Sequence, residues 1–124
     1  MDTDSDPEFE GVRKPSTLHE AAYQDNLEGA KLLLRKGAAI GLRDLNGNTA
    51  LHIAILKETD DLVQFLIDQG ADVNNPGSEG MTPLILASSR SNYAIASRLL
   101  EVGADVDAAD IEGRTALHHA CIQE

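Results

Sequence analysis

The chain has 124 residues, 42% of them apolar and only 3% aromatic, with 21 acidic against 10 basic side chains and a formal net charge of -11. Such a length allows one domain, and the composition suits thin layers of small aliphatic side chains better than one large core. The acidic balance argues against a nucleic-acid partner, whose phosphates need clustered Lys and Arg, and no run of about 18 apolar residues is present to span a membrane.

In chain order, residues 1–14 crowd Asp2, Asp4, Asp6, Glu8 and Glu10 around Pro7 with little to bury, and are expected to form an acidic disordered tail. The alternation Asp2-x-Asp4-x-Asp6 has the look of a calcium loop opening, but Pro7 replaces its glycine and Arg13 its closing glutamate, so calcium is rejected. The start lacks the basic and apolar stretches of a signal peptide, Asp2 excludes N-myristoylation, and the single cysteine, Cys121, suits a reducing compartment. An intracellular protein is expected, with cytoplasm or nucleus left open.

From there a block repeats every 33 residues: Thr49-Ala50-Leu51-His52-Ile53-Ala54, Thr82-Pro83-Leu84-Ile85-Leu86-Ala87 and Thr115-Ala116-Leu117-His118-His119-Ala120, each opened by Gly47, Gly80 or Gly113. Gly37-Ala38, Gly70-Ala71 and Gly103-Ala104 keep the same period, as do Leu33-Leu34, Leu66-Ile67 and Leu99-Leu100. One period before Thr49 stands Ser16-Thr17-Leu18-His19-Glu20-Ala21. Two marker sets in one phase define a repeat architecture.

The helix signals fit. Thr82 is a natural N-cap, with Pro83 at the first helical position, where its missing N–H costs nothing. Asp60 and Asp61 fall in a first turn, and Gly70 stands where a left-handed helix end is wanted. Leu62, Val63, Leu66 and Ile67 share one helical face, which a single repeat cannot bury and which must pack on its neighbours.

The repeat resembles the ankyrin repeat, with its Asp-x-x-Gly-x-Thr-Pro-Leu-His-x-Ala front and Leu-Leu-x-x-Gly-Ala-Asp-Val-Asn back, over about residues 11–124. The resemblance implies an all-α solenoid of stacked helix-turn-helix units joined by β-hairpin-like fingers, about three and a half repeats long. The units are placed at about 15–43, 44–76, 77–109 and a partial 110–124, together a domain of 15–124. Asp25, Glu58 and Ser91 replace the glycine usual between the two helices and are expected to strain that link. Gly77 replaces the opening aspartate represented by Asp44 and Asp110, which should loosen the third finger, and Ile85 replaces the motif histidine. Leu117 and Ala120 are left without a covering second helix, so the chain is read as a fragment of a longer array, with self-association or a partner at the open end as the other readings.

Catalysis and metal binding find no support. His19, His52 and His118 lie in successive layers, and the resemblance gives them hydrogen bonds to turns and to Thr49 and Thr115. Adjacent helical residues point about 100° apart, so His118-His119-x-Cys121 does not make a zinc site. No phosphate loop or serine elbow occurs. No cofactor, metal or catalytic residue is expected. Leu66 with Asp72-Val73-Asn74 resembles a context in which ankyrin asparagines are hydroxylated, yet Asn74 is read as a plain hairpin residue.

In proteins of this kind the finger tips and first-helix surface form a concave groove that grips partners. By register the free positions are Tyr23, Gln24, Arg43, Leu45, Asn46, Asn48, Leu56, Lys57, Ser78, Glu79, Met81, Ser89, Arg90, Ile111, Glu112 and Arg114. Leu45, Leu56, Met81 and Ile111 are apolar where exposure is expected, and Tyr23, Arg43, Arg90 and Arg114 are types enriched in binding hot spots. The reading is a non-catalytic module for another protein or peptide, favoured by charge to be basic, with no nucleic acid or membrane partner. A monomer is expected, and the alternative is a regulatory or targeting part of a larger enzyme or signalling protein.

Overall fold

The computed structural model describes residues 15–122; the segment 1–14, expected to be a disordered tail, lies outside the described residues. Seven helices follow one another: α1 (Leu18–Tyr23), α2 (Leu27–Arg35), α3 (Ala50–Leu56), α4 (Asp60–Asp68), α5 (Pro83–Ser89), α6 (Tyr93–Glu101) and α7 (Ala116–Ile122), with a 3-10 turn at Ser78–Gly80 before α5. They stack in two rows, α1, α3, α5 and α7 in one and α2, α4 and α6 in the other, with α1 on α2, α3 on α4 and α5 on α6 within the units and successive helices of each row packed on one another. Among the described residues no helix is long and apolar enough to cross a membrane.

The periodic side chains make the core. Leu51, Ile53 and Ile55 of α3, Leu62, Val63, Leu66 and Ile67 of α4, and Leu84, Ile85 and Leu86 of α5 are buried. Each such side chain contributes about 1.5–3 kcal/mol by leaving water, and that burial exists only because neighbouring units share it. Hydroxyls start the first-row helices: Thr49 accepts from the N–H of His52, and Thr82 from that of Ile85 with Pro83 in the first turn. In the first unit the cap moves one residue on, to Thr17, which accepts from the Glu20 N–H at 3.1 Å while Ser16 bonds the Glu20 carboxylate. The second row uses Asn26 and Asn92 as side-chain caps.

Gly70 ends its helix with φ +94°, and the connections carrying Asp25, Glu58 and Ser91 do hold positive φ, at 53°, 61° and 60°. These side chains sit in a region that costs L residues about 1–3 kcal/mol. Among the described residues there is no extended strand. The fingers reduce to one rung each, Asp44 N–H to Asn48 O (2.8 Å), Gly77 N–H to Met81 O (2.9 Å) and Asp110 N–H to Arg114 O (2.9 Å), with an isolated bridge between Ala109 and Thr115.

At the third finger the missing aspartate has a physical cause. A Cβ on Gly77 would lie 2.4 Å from Asn48 Oδ1 and 2.8 Å from the His52 ring. Asn48 reaches across from the preceding finger and accepts from the Ser78 N–H at 2.9 Å, which supplies from the neighbour the kind of bond that Asp44 gives Asn46 and Asn48, and Asp110 gives Glu112 and Arg114.

Candidate protein-binding surface

Fingers and first-row helices are tied into one body by the motif histidines. His52 is fully buried. Its Nδ1 accepts from the Thr49 N–H at 3.1 Å, with the Thr49 hydroxyl at 2.9 Å, which leaves the proton on Nε2 to donate to the carbonyls of Asn75 (2.8 Å) and Met81 (3.1 Å) in the next finger. Burial holds this imidazole below its ordinary value of 6.5, against the two carbonyls, which favour the charged ring. His19 bonds Asn48 O at 2.9 Å in the same way. His118 has the same bonds to Thr115, at 3.0 and 2.9 Å, but lies exposed. With Ile85 in place of a histidine, the third and fourth fingers are joined by Ile111 N–H to Glu79 O at 3.0 Å.

On this frame the candidate residues divide. Leu45 is fully exposed at 106%, Ile111 is 74% exposed and Tyr23 56%. Asn46, Lys57, Glu79 and Glu112 are exposed as well, and Gln24 half-buried. Leu56 and Met81 differ from expectation: both are half-buried, their apolar side chains packed against the buried core instead of standing in water. Asn48 is a strut of the scaffold through His19 and Ser78, and the Ser89 hydroxyl donates to Leu86 O at 2.9 Å.

The arginines are engaged within the molecule. Arg43 donates to Asn75 Oδ1 at 2.5 Å. Arg90 grips Glu58 Oε2 with two N–H groups at 3.3 and 3.0 Å, and Arg114 pairs with Glu112. Side-by-side contacts run along the first-row helix ends, with Lys57 Nζ 5.8 Å from the Tyr23 ring centroid and Arg90 of the next unit on Glu58. Sequence reasoning passed over Glu58 and Asn75 as partners, although Arg90 and Arg43 each stand 32 residues away, close to one period. It also missed Asp110–His119. Asp110 is buried, accepts from the Arg114 N–H at 2.9 Å and from His119 Nε2 at 2.9 Å. Those two bonds, in that order, with the Glu112 N–H and the Arg114 charge, hold its carboxyl down at about 2.

His118, His119 and Cys121 do not converge. His119 turns to Asp110 while His118 and Cys121 are exposed, and among the described residues no group of three or more His, Cys, Asp or Glu could hold a metal ion. Asn74 is committed at both ends of its amide, to Gly103 O (3.3 Å) and the Asp105 N–H (2.7 Å).

Two rows of paired helices with capped turns at a 33-residue period are what the ankyrin architecture requires, and a family model describing ankyrin repeats in three copies matches residues 18–110 and 75–124. The chain belongs to the ankyrin-repeat family. No curated protein matches it. Ankyrin repeats are generally protein–protein interaction modules, and domains built from them are typically non-catalytic.

Proposed function

We propose that this chain binds a partner protein through its finger tips and the adjoining ends of the first-row helices, by rigid shape complementarity without chemistry. The observation that carries the reading is the exposure of Leu45 and Ile111, large aliphatic side chains held at the tips of hydrogen-bonded turns. Apolar anchors on rigid supports lose little entropy on binding. Tyr23 and Lys57 extend the surface at the ends of α1 and α3, with Glu79 and Glu112 between and beside the apolar tips. A net charge of -11 favours a basic partner by steering.

The surface as proposed is smaller than the sixteen-residue set read from the sequence. Leu56, Met81 and Asn48 serve the scaffold, and Arg43, Arg90 and Arg114 reach a partner only by exchanging intramolecular bonds. The unit boundaries 15–43, 44–76, 77–109 and 110–124 belong to the same proposal.

The test is affinity capture from cell lysate with the intact chain and a Leu45→Asp/Ile111→Asp variant, after circular dichroism shows equal helicity. Both side chains lie outside the core, so the fold is expected to survive. A partner held by the first and lost by the second supports the reading; a partner held equally by both refutes it.

A further inference from the structure

We propose that the cleft between α2 and α4, on the second row of helices, docks an acidic peptide segment carrying bulky apolar side chains. The cleft has a volume of about 290 Å³ and is lined by Lys31, Leu34 and Arg35 of α2, by Phe65 of α4 and by Gln69 just after that helix. Leu34 and Phe65 are half-buried against the core and form an apolar floor, while Lys31 Nζ stands 5.9 Å from the Phe65 ring centroid.

The neighbouring cleft shows what is different here. One period of 33 residues on, Lys31, Arg35 and Phe65 become Gln64, Asp68 and Arg98. Arg98 Nε donates to Gln64 Oε1 at 3.0 Å, its Nη2 to Asp68 Oδ1 at 2.5 Å, and Glu101 lies 3.7 Å from its Nη1. A guanidinium thus bridges α4 and α6 across two acceptors. Between α2 and α4 the chemistry is inverted, with a phenyl ring where the guanidinium stands and two cations where its acceptors stand.

Those cations are weakly countered. Lys31 meets Glu28 at 3.5 Å, both side chains well exposed, and no described carboxylate lies within salt-bridge distance of Arg35. With Lys36, three cations fall within six residues of a chain whose net charge is -11. An external carboxylate would supply what Asp68 supplies to Arg98, and carboxylate is the natural bidentate partner of Arg35. The spacing selects a peptide. Lys31 and Arg35 are one helical turn apart, about 6 Å, and alternate side chains on one face of an extended chain recur at about 6.6–6.8 Å. An acidic-x-acidic strand therefore meets both cations, and bulky apolar side chains flanking the two carboxylates are available to turn onto Leu34 and Phe65.

The experiment titrates the intact 15N-labelled chain with the peptide Phe-Ser-Glu-Ser-Glu-Ser-Phe, following amide shifts by NMR. Saturable shifts centred on Lys31, Leu34, Arg35, Phe65 and Gln69 are expected, with affinity at least tenfold weaker for the peptide with Gln for Glu or Ala for Phe. The variant Lys31→Gln/Arg35→Asp/Phe65→Arg copies the α4–α6 bridge and should reduce binding at least tenfold with helicity kept. Arg35→Gln, at an exposed position, serves as the milder variant and should weaken binding and its salt dependence. Equal affinity for the neutral peptide, shifts centred on the finger tips, or no saturable shift at the cleft would overturn the proposal. Shifts at the cleft on changing Asp2, Asp4, Asp6, Glu8 and Glu10 to their amides, with no response to the peptide, would overturn the external partner in favour of the chain's own segment.

Discussion

His52 and His118 offer a controlled comparison, because the same ring with the same local bonds occurs once buried and once exposed. Both accept from the N–H of the cap threonine three residues earlier, at 3.1 Å for Thr49 and 3.0 Å for Thr115. Only His52 reaches the next finger, donating to Asn75 O at 2.8 Å and Met81 O at 3.1 Å, and only His52 is fully buried. His118→Ala loses the local bonds alone, a cost of about 1 kcal/mol or less. His52→Ala loses them together with the one Nε2–H shared between Asn75 O and Met81 O, a bond of about 0.5–1.5 kcal/mol net that reaches the next unit through Met81, and leaves a ring-sized hole, for a total of about 3–5 kcal/mol. Urea unfolding followed at 222 nm measures both. A difference below about 1 kcal/mol would refute the claim that this histidine locks one unit to the next.

Protonation should act on the same lock. Since the folded imidazole titrates below its ordinary 6.5, the unfolded state takes up the proton first, so the stabilisation is complete above that value and is lost as pH falls through and below it, by at most about 1.4 kcal/mol per pH unit; the gap between the parent and His52→Ala should narrow from pH 7.5 to 5.5. Restoring the family's aspartate with Gly77→Asp is expected to destabilise by about 1–3 kcal/mol through overpacking, read as a lower midpoint in thermal melts, because its Cβ would meet Asn48 and His52. Ser91→Gly should raise stability by about 0.5–1 kcal/mol by relieving the positive φ of 60°, and an unchanged or lower melting temperature would contradict that. For Asp110, held down at about 2 from 3.8, the sign is the reverse of a raised group: its contribution is present above pH 3.8 and lost as pH falls toward 2. The stability advantage over Asp110→Asn should therefore shrink across that window in pH-jump unfolding.

What could be read from the sequence was what the period controls. Thr82 and Pro83 start their helix, Gly70 ends one, the apolar face of α4 is buried, and Asp25, Glu58 and Ser91 hold positive φ, since each follows from local geometry repeated in register. The candidate surface was legible only in part. Leu45 and Ile111 stand on turns whose shape is local, and their exposure follows from it. Leu56 and Met81 depend on how far the next unit overlaps them, and the arginines on acceptors presented by neighbouring turns and units, which a motif does not encode. Asn48 filling the space beside Gly77, and His119 turning to Asp110, are individual compensations outside the periodic pattern.

The most direct test of the surface is a hydrogen-exchange footprint of the captured partner on this chain. Protection is expected at 44–48, 78–81 and 110–114 and around Tyr23 and Lys57, with α6 unchanged. Protection confined to α2, α4 and α6, with the finger tips exchanging as in the free chain, would contradict it.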